Sequence, residues 1–154
     1  MLTSRVVRKV FVKVPRTIAG PQQVKVGFPA GEADADNIQK AIWNEFGTKG
    51  GASGGGWGGP IPERPFMRNA MRSNRDQYLA MMKASATKLI RSETTLNQIM
   101  MKLGVLAQGD IQGEITSLSS PPNSPVTIAL KGSSNPLIDS GEMRGSVTFK
   151  VSGP

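Results

Sequence analysis

The run from residue 66 to residue 91 limits what this chain can fold into more than any other part of its sequence. It contains no proline and no glycine. Apolar and aromatic residues recur there every three or four positions, at Phe66, Met67, Ala70, Met71, Tyr78, Met82, Leu89 and Ile90. This period matches an α-helix with one apolar face. We therefore predict a long amphipathic helix from Phe66 to about Arg91.

A second helix is predicted to follow at once. Residues 92–95 are Ser-Glu-Thr-Thr, and a short hydroxyl side chain can cap the first free backbone amides of a helix. Helical spacing then continues to a Pro-Pro pair, through Leu96, Ile99, Met100, Leu103, Ala107, Ile111, Ile115 and Leu118. Gly104, Gly109 and Gly113 each weaken this helix by up to about 1 kcal/mol relative to alanine. Packing must therefore stabilise it, and its small residues would let another helix approach closely.

Short strands are predicted on both sides of the helices. Residues 23–28 place their two valines on one face, and residues 146–151 alternate apolar with polar side chains. Residues 34–37, Asp-Ala-Asp-Asn, favour a short helix that continues to Phe46, with a strand as the alternative. For the last third of the chain we predict a long loop of defined shape, a turn at 139–141 and one closing strand.

These elements predict an α+β fold, in which a small antiparallel sheet of N- and C-terminal strands packs against two central helices. We expect a basic arm or strand at residues 1–22, a single domain at 23–151 and a tail at 152–154. Within the domain, residues 47–60 are mostly glycine around Trp57. Such a segment buries too little to offset the entropy lost on ordering. We expect a flexible loop there.

The composition argues against catalysis. The chain has no cysteine and no histidine, which excludes thiolate nucleophiles, imidazole bases and most transition-metal sites. Its glycine-rich segment lacks the Gly-Lys-Ser/Thr ending of a phosphate-binding P-loop. We therefore expect no enzymatic activity, no cofactor and no metal.

No apolar run approaches the roughly 20 residues of a transmembrane helix, and no cleavable leader is recognisable. A soluble protein made in the cytoplasm is therefore expected.

The charge is strongly basic and unevenly placed. Nineteen Lys and Arg residues face eleven Asp and Glu residues, a net charge of +8. The first acidic residue is Glu32, whereas the arm before it contains several basic residues, among them Arg5, Arg8, Lys9 and Lys13. This asymmetry suggests a polyanion or an acidic protein surface as partner, with ordinary solvated charge as the alternative.

Four arginines fall at helical spacing, at i, i+4, i+8 and i+11: Arg64, Arg68, Arg72 and Arg75. On one helix they would form a row about 16 Å long. Guanidinium groups suit phosphate and carboxylate, so this row would line a DNA channel or bind an adjacent subunit, with a water-facing surface as the alternative. No sequence-reading motif is recognisable, so contact with DNA would be limited to its backbone.

Three groups of residues occur in an order that points to a family. They are Ala-Ile-Trp-Asn-Glu-Phe-Gly-Thr at 41–48, Ile-Pro-Glu-Arg-Pro-Phe-Met-Arg at 61–68, and a C-terminal set. That set comprises Pro-Pro-Asn at 121–123, a Thr-Ile step, Lys-Gly-Ser-Ser at 131–134, Pro-Leu-Ile-Asp-Ser-Gly at 136–141 and the final strand. Across residues 24–151 the chain resembles the small neck proteins of tailed bacteriophages, which include head-tail connector, tail-completion and virion-morphogenesis proteins.

The resemblance implies a structural virion protein without enzymatic activity. It implies a homo-oligomeric ring, a hexamer or a twelve-subunit ring, at the head-tail junction. Its neighbours would be connector, portal-side and tail-tube proteins, and double-stranded DNA would pass through it. In such a ring, Trp57 is a candidate for contact between subunits, and the basic arm would clasp a neighbouring subunit. The alternative from the charge alone is a non-specific basic DNA-binding protein.

Overall fold

The computed structural model describes residues 18–50 and 59–153 of the chain. In these two ranges the fold is α+β, as the sequence predicts, with six helices and one two-stranded antiparallel sheet. In chain order the elements are β1 (Gln23–Gly27), α1 (Ala35–Phe46), α2 (Phe66–Ser73), α3 (Arg75–Ile90), α4 (Leu96–Ser117), α5 (Pro125–Lys131), α6 (Glu142–Gly145) and β2 (Thr148–Ser152). Trp57 and the arm residues Arg5, Arg8, Lys9 and Lys13 lie outside the described residues, and what was expected of them stays a prediction.

The sheet joins the two ends of the domain. In the antiparallel pairing of β1 and β2, Val24 lies opposite Val151 and Val26 lies opposite Phe149. Lys25 and its partner on β2 are exposed on the other face. Both predicted strands are therefore confirmed, although β2 continues into the first residue of the expected tail. A two-stranded sheet is marginally stable alone, and this one packs against α4.

Helix α4 is the central element of the fold. It contacts α2, α3, α6 and both strands. Its start has a capping box, in which the hydroxyl of Thr95 accepts from the backbone N–H of Gln98, and the side chain of Gln98 accepts from the backbone N–H of Thr95. This confirms the helix start predicted within 92–95. The main core cluster consists of Ala41, Phe66, Ala70, Ile111, Ile115, Leu118, Leu137, Met143 and Val147.

The prediction of one helix from Phe66 to about Arg91 is wrong, because Asn74 separates α2 from α3. Its backbone has φ −104° and ψ 8°, and its side-chain amide donates to the carbonyl oxygen of Ala70 at 2.9 Å. An asparagine that bonds the preceding turn competes with the helical backbone pattern. Arg64 also precedes α2, so the four arginines do not share one helix.

The segment after α4 contains more regular structure than the predicted loop. The hydroxyl of Ser124 accepts from the backbone N–H of Thr127 at 3.2 Å, and Pro125 occupies the first position of α5. Gly132, with φ 67°, ends that helix. A second short helix, α6, follows the turn at 139–141. Gly141 adopts φ 87°, as the turn prediction expects.

The glycines of α4 have different surroundings. A methyl group added at Gly104 would overlap the ring of Phe149, whereas one at Gly109 or Gly113 would meet open space. The close approach predicted for these small residues therefore occurs at Gly104 alone, and the neighbour there is the sheet rather than a helix.

We expect Gly104→Ala to lower the free energy of unfolding by about 2 kcal/mol, because the strain of overpacking exceeds the gain in helix propensity. Gly109→Ala makes the same chemical change without the overlap. It should raise the free energy of unfolding by up to about 1 kcal/mol. Urea denaturation of both variants measures the difference, and effects of the same sign would contradict this packing.

Candidate functional site

The segments 41–48, 61–68 and 121–123 are far apart in the chain and meet at one place in the fold. The first ends α1, the second leads into α2, and the third follows α4. They are joined by a set of polar side chains and carbonyl oxygens that we call the Arg64–Glu45 cluster. Its members are Asn44, Glu45, Glu63, Arg64, Arg68, Pro121, Pro122 and Asn123.

Arg64 connects the three segments directly. Its side chain is only 4% exposed. Nε donates to the carbonyl oxygen of Pro121 at 2.8 Å, and Nη1 donates to Oδ1 of Asn44 at 3.2 Å. Nη2 donates to the carbonyl oxygen of Pro122 at 3.1 Å and to Oδ1 of Asn123 at 3.2 Å. Burial lowers the pKa of Arg64. One guanidinium therefore fixes the end of α1 and the chain after α4.

Glu45 connects α1 to α2. It is 1% exposed, and its carboxylate accepts from the backbone N–H groups of Met67 at 2.9 Å and Arg68 at 3.2 Å. These amides belong to the first turn of α2, where Pro65 provides no side-chain cap. The carboxylate thus caps α2 from another helix, at the end where the helix dipole favours negative charge.

Arg68 completes the cluster at its solvent side. Its Nε lies 2.9 Å from Oε1 of Glu45, its Nη2 pairs with Glu63, and its guanidinium lies 5.3 Å from the ring centroid of Phe46. The hydrogen bonds that Arg68 donates to the carboxylates of Glu45 and Glu63 raise its pKa. Its charge is therefore already matched by two carboxylates within the fold.

The four predicted arginines thus divide into two pairs. Arg64 and Arg68 belong to the cluster, whereas Arg72 and Arg75 are exposed on α2 and α3. All eleven acidic residues of the chain lie in the described ranges. None of them is within 4 Å of the exposed cations of α2 and α3, namely Arg72, Arg75, Lys83 and Lys88. These four charges remain open to an external polyanion.

Helix α3 has no buried residue along its 16 positions. Its half-buried residues, Tyr78, Met81, Ser85 and Leu89, recur at helical spacing, and the helix contacts α4. The hydroxyl of Tyr78 donates to Oδ2 of Asp110 on α4 at 2.7 Å. Burial and this hydrogen bond raise the pKa of Tyr78. Only one side of α3 therefore has a neighbour among the described residues.

A second apolar row runs along α3, which we call the outer row: Leu79, Met82, Ala86 and Ile90. All four residues are exposed, and the exposed fraction is 42% for Leu79 and 43% for Met82. Their spacing of i, i+3, i+7 and i+11 places them on one face, rotated away from the row that faces α4. A continuous exposed apolar row of this kind is a candidate surface for contact with a partner.

A separate apolar groove lies on α4, which we call the α4 groove. It is lined by Met81, Met101, Val105 and Leu106. Met101 and Val105 lie one helical turn apart on α4, and Val105 is 59% exposed. No residue of the outer row lines this groove. The α3–α4 hairpin therefore carries two distinct apolar surfaces.

Comparison with known proteins adds no assignment, since no family model, curated protein or solved structure matches the chain. Across residues 18–50 and 59–153, no helix has both the length and the apolar character needed to cross a membrane. The same ranges hold no group of three or more Asp or Glu side chains placed to bind a metal ion.

Proposed function

We propose that this chain is a structural neck protein of a tailed bacteriophage, which assembles into a ring at the head-tail junction of the virion. The outer row of α3 carries this proposal. Packing of an apolar face supplies most of the stability of a helix in a protein, and α3 has little of it within the described chain. A second copy of the chain that covers Leu79, Met82 and Ile90 would supply the missing contact.

The presence of two different apolar surfaces favours a ring over a two-fold dimer. A two-fold contact uses the same patch on both copies, whereas a contact between different patches is head-to-tail and closes into a ring when the rotation permits. The outer row and the α4 groove are such a pair. Both contain methionine, whose flexible side chain adapts to an interface. This agrees with the hexamer or twelve-subunit ring that the resemblance implies.

The exposed cations of α2 and α3 support the passage of duplex DNA through the ring. Arg72, Arg75, Lys83 and Lys88 have no carboxylate within 4 Å among the described residues. Such charges bind the phosphate backbone without reading sequence, and the interaction weakens as salt rises. In this role the protein positions DNA and performs no chemistry on it.

The test of assembly is a double substitution in the outer row. We expect Leu79→Glu combined with Met82→Glu to abolish the oligomer, because charged groups would replace apolar contacts at the interface. The matched control is Gln77→Glu with Ala84→Glu, two exposed positions of α3 outside the outer row. It adds two carboxylates in the same helix and should keep the oligomer. Native mass spectrometry measures the copy number. A monomeric parent chain, or equal loss in both variants, would count against the proposal.

A second candidate is a non-specific DNA-binding protein, which the same unpaired cations favour. A gel-shift assay with duplex DNA at several salt concentrations separates the two functions. If DNA binding is the function, Arg72→Gln with Arg75→Gln should weaken binding, while the outer-row variant should bind as the parent chain does. If ring assembly is the function, the parent chain should associate without DNA.

A further inference from the structure

A pocket adjoins the Arg64–Glu45 cluster, between the end of α1, residues 59–64, the chain after α4 and α5. Its volume is about 610 Å³, within the range of sites for small ligands. Four prolines and Ile61 provide apolar walls. The polar part of the lining consists of Asn44, Arg64, Asn123, Ser124, Thr127 and Lys131.

Two cations line this pocket, and neither forms a salt bridge within the described residues. The described ranges include all eleven Asp and Glu side chains, and none lies within 4 Å of Arg64 or Lys131. The four side-chain hydrogen bonds of Arg64 all end on neutral oxygens. Lys131 donates to the carbonyl oxygen of Asn135 at 3.2 Å. Two positive charges thus face one partly enclosed space with no carboxylate in direct contact.

The surroundings of Lys131 show that this arrangement disfavours its positive charge. Burial lowers the pKa of Lys131, the carboxylate of Asp139 opposes this effect, and the charge of Arg64 adds to it. Both side chains also retain donor capacity. A guanidinium has five N–H groups and an ammonium has three, so Arg64 has one N–H left and Lys131 has two within the described contacts. An anion in the pocket would accept from both groups and offset their mutual repulsion.

We propose that the pocket formed by Arg64 and Lys131 is a binding site for a single carboxylate group, of the kind that an Asp or Glu side chain of a partner protein supplies. A carboxylate fits better than a phosphate of duplex DNA. Arg64 is 4% exposed between proline walls, so the backbone of a wide, stiff duplex cannot reach it. A carboxylate at the end of a flexible side chain can enter. The proposal uses contacts within one copy of the chain and does not depend on ring formation.

The experiment compares acetate, chloride and inorganic phosphate at matched ionic strength in thermal unfolding of the 154-residue chain. A ligand that binds only the folded state raises Tm by mass action. We expect a saturating rise with acetate, about 3–6 °C at ten times its Kd. Lys131→Gln removes one of the two charges and should weaken acetate binding about tenfold, since a hydrogen bond to a charged group is lost. Lys131→Arg keeps the positive charge and should therefore keep the rise in Tm with acetate.

The control variant is Lys25→Gln, which removes an exposed charge from β1 and should leave the acetate effect unchanged. A rise that does not saturate, or one that Lys131→Gln leaves intact, would overturn the proposal. Saturation by phosphate without saturation by acetate would overturn the choice of a carboxylate. Lysine labelling read by mass spectrometry gives an independent readout, because bound acetate should protect Lys131 and not Lys25.

Discussion

Arg64→Met is expected to lower the free energy of unfolding by about 3–5 kcal/mol, because it removes four hydrogen bonds of a charged donor that join three segments of the chain. The loss leaves oxygens of Asn44, Asn123 and two prolines without their donor. These acceptors are partly buried, so they would keep part of the cost of desolvation without their donor. Urea denaturation followed by circular dichroism measures the change.

Two further variants make this prediction specific. Arg72→Met removes an exposed arginine of α2 and should change the free energy of unfolding by no more than about 0.5 kcal/mol. Arg64→Lys keeps the charge but lacks the planar fork of donors, so it should recover little of the lost stability. Equal and small effects at both arginines would mean that Arg64 does not connect the segments as its contacts indicate.

Glu45→Ala is expected to lower the free energy of unfolding by about 2–4 kcal/mol, because α2 loses the side-chain cap at its N-terminus and Arg68 loses a buried partner. Glu45→Gln keeps an acceptor without the charge, and its cost should be smaller, about 1–2 kcal/mol.

The matched control for Glu45 is Glu63→Gln, since Glu63 pairs with the same arginine at the protein surface. An exposed ion pair contributes no more than about 1 kcal/mol. If Glu63→Gln destabilised the chain as much as Glu45→Ala, the capping of α2 by Glu45 would not be the source of the effect. Thermal unfolding of the three variants, compared with the parent chain, decides this.

The elements that the sequence predicts well are those with local signals. Strand β1 follows from its paired valines, α1 from the acidic residues at its start, and α4 from its periodicity and the hydroxyl at Thr95. The break in the helix at Asn74 is harder to predict, because one polar residue does not interrupt apolar residues spaced three and four positions apart. Helix α5 is an exception. Its Ser-Pro start and its terminal glycine are local signals that favour a helix, although a loop is predicted there.

The arginine row shows how spacing alone misleads. Helical angles apply only if the helix includes every residue counted, and Pro65, which favours a helix start, leaves Arg64 outside α2. The partners of Arg64 lie 20 residues before it and 57 to 59 residues after it. Glu45 reaches across 22 residues to cap α2. No local sequence pattern indicates contacts between residues so far apart in the chain, so the cluster is recognised only in the folded structure.

The resemblance and the fold are connected through this cluster. The segments at 41–48, 61–68 and 121–123 contact one another through Arg64 and Glu45, which gives them a common structural role. Their residues stabilise the fold. The outer row and the exposed cations of α2 and α3, which lie outside this cluster, are the surfaces that we propose for contact with other copies of the chain and with DNA.

Electron microscopy of the purified chain, with no nucleic acid added, shows whether the chain assembles into rings by itself. We expect closed rings of one copy number, six or twelve, which disappear when Leu79 and Met82 are both replaced by glutamate. Isolated single copies at every concentration, two-fold dimers or open filaments would contradict this expectation.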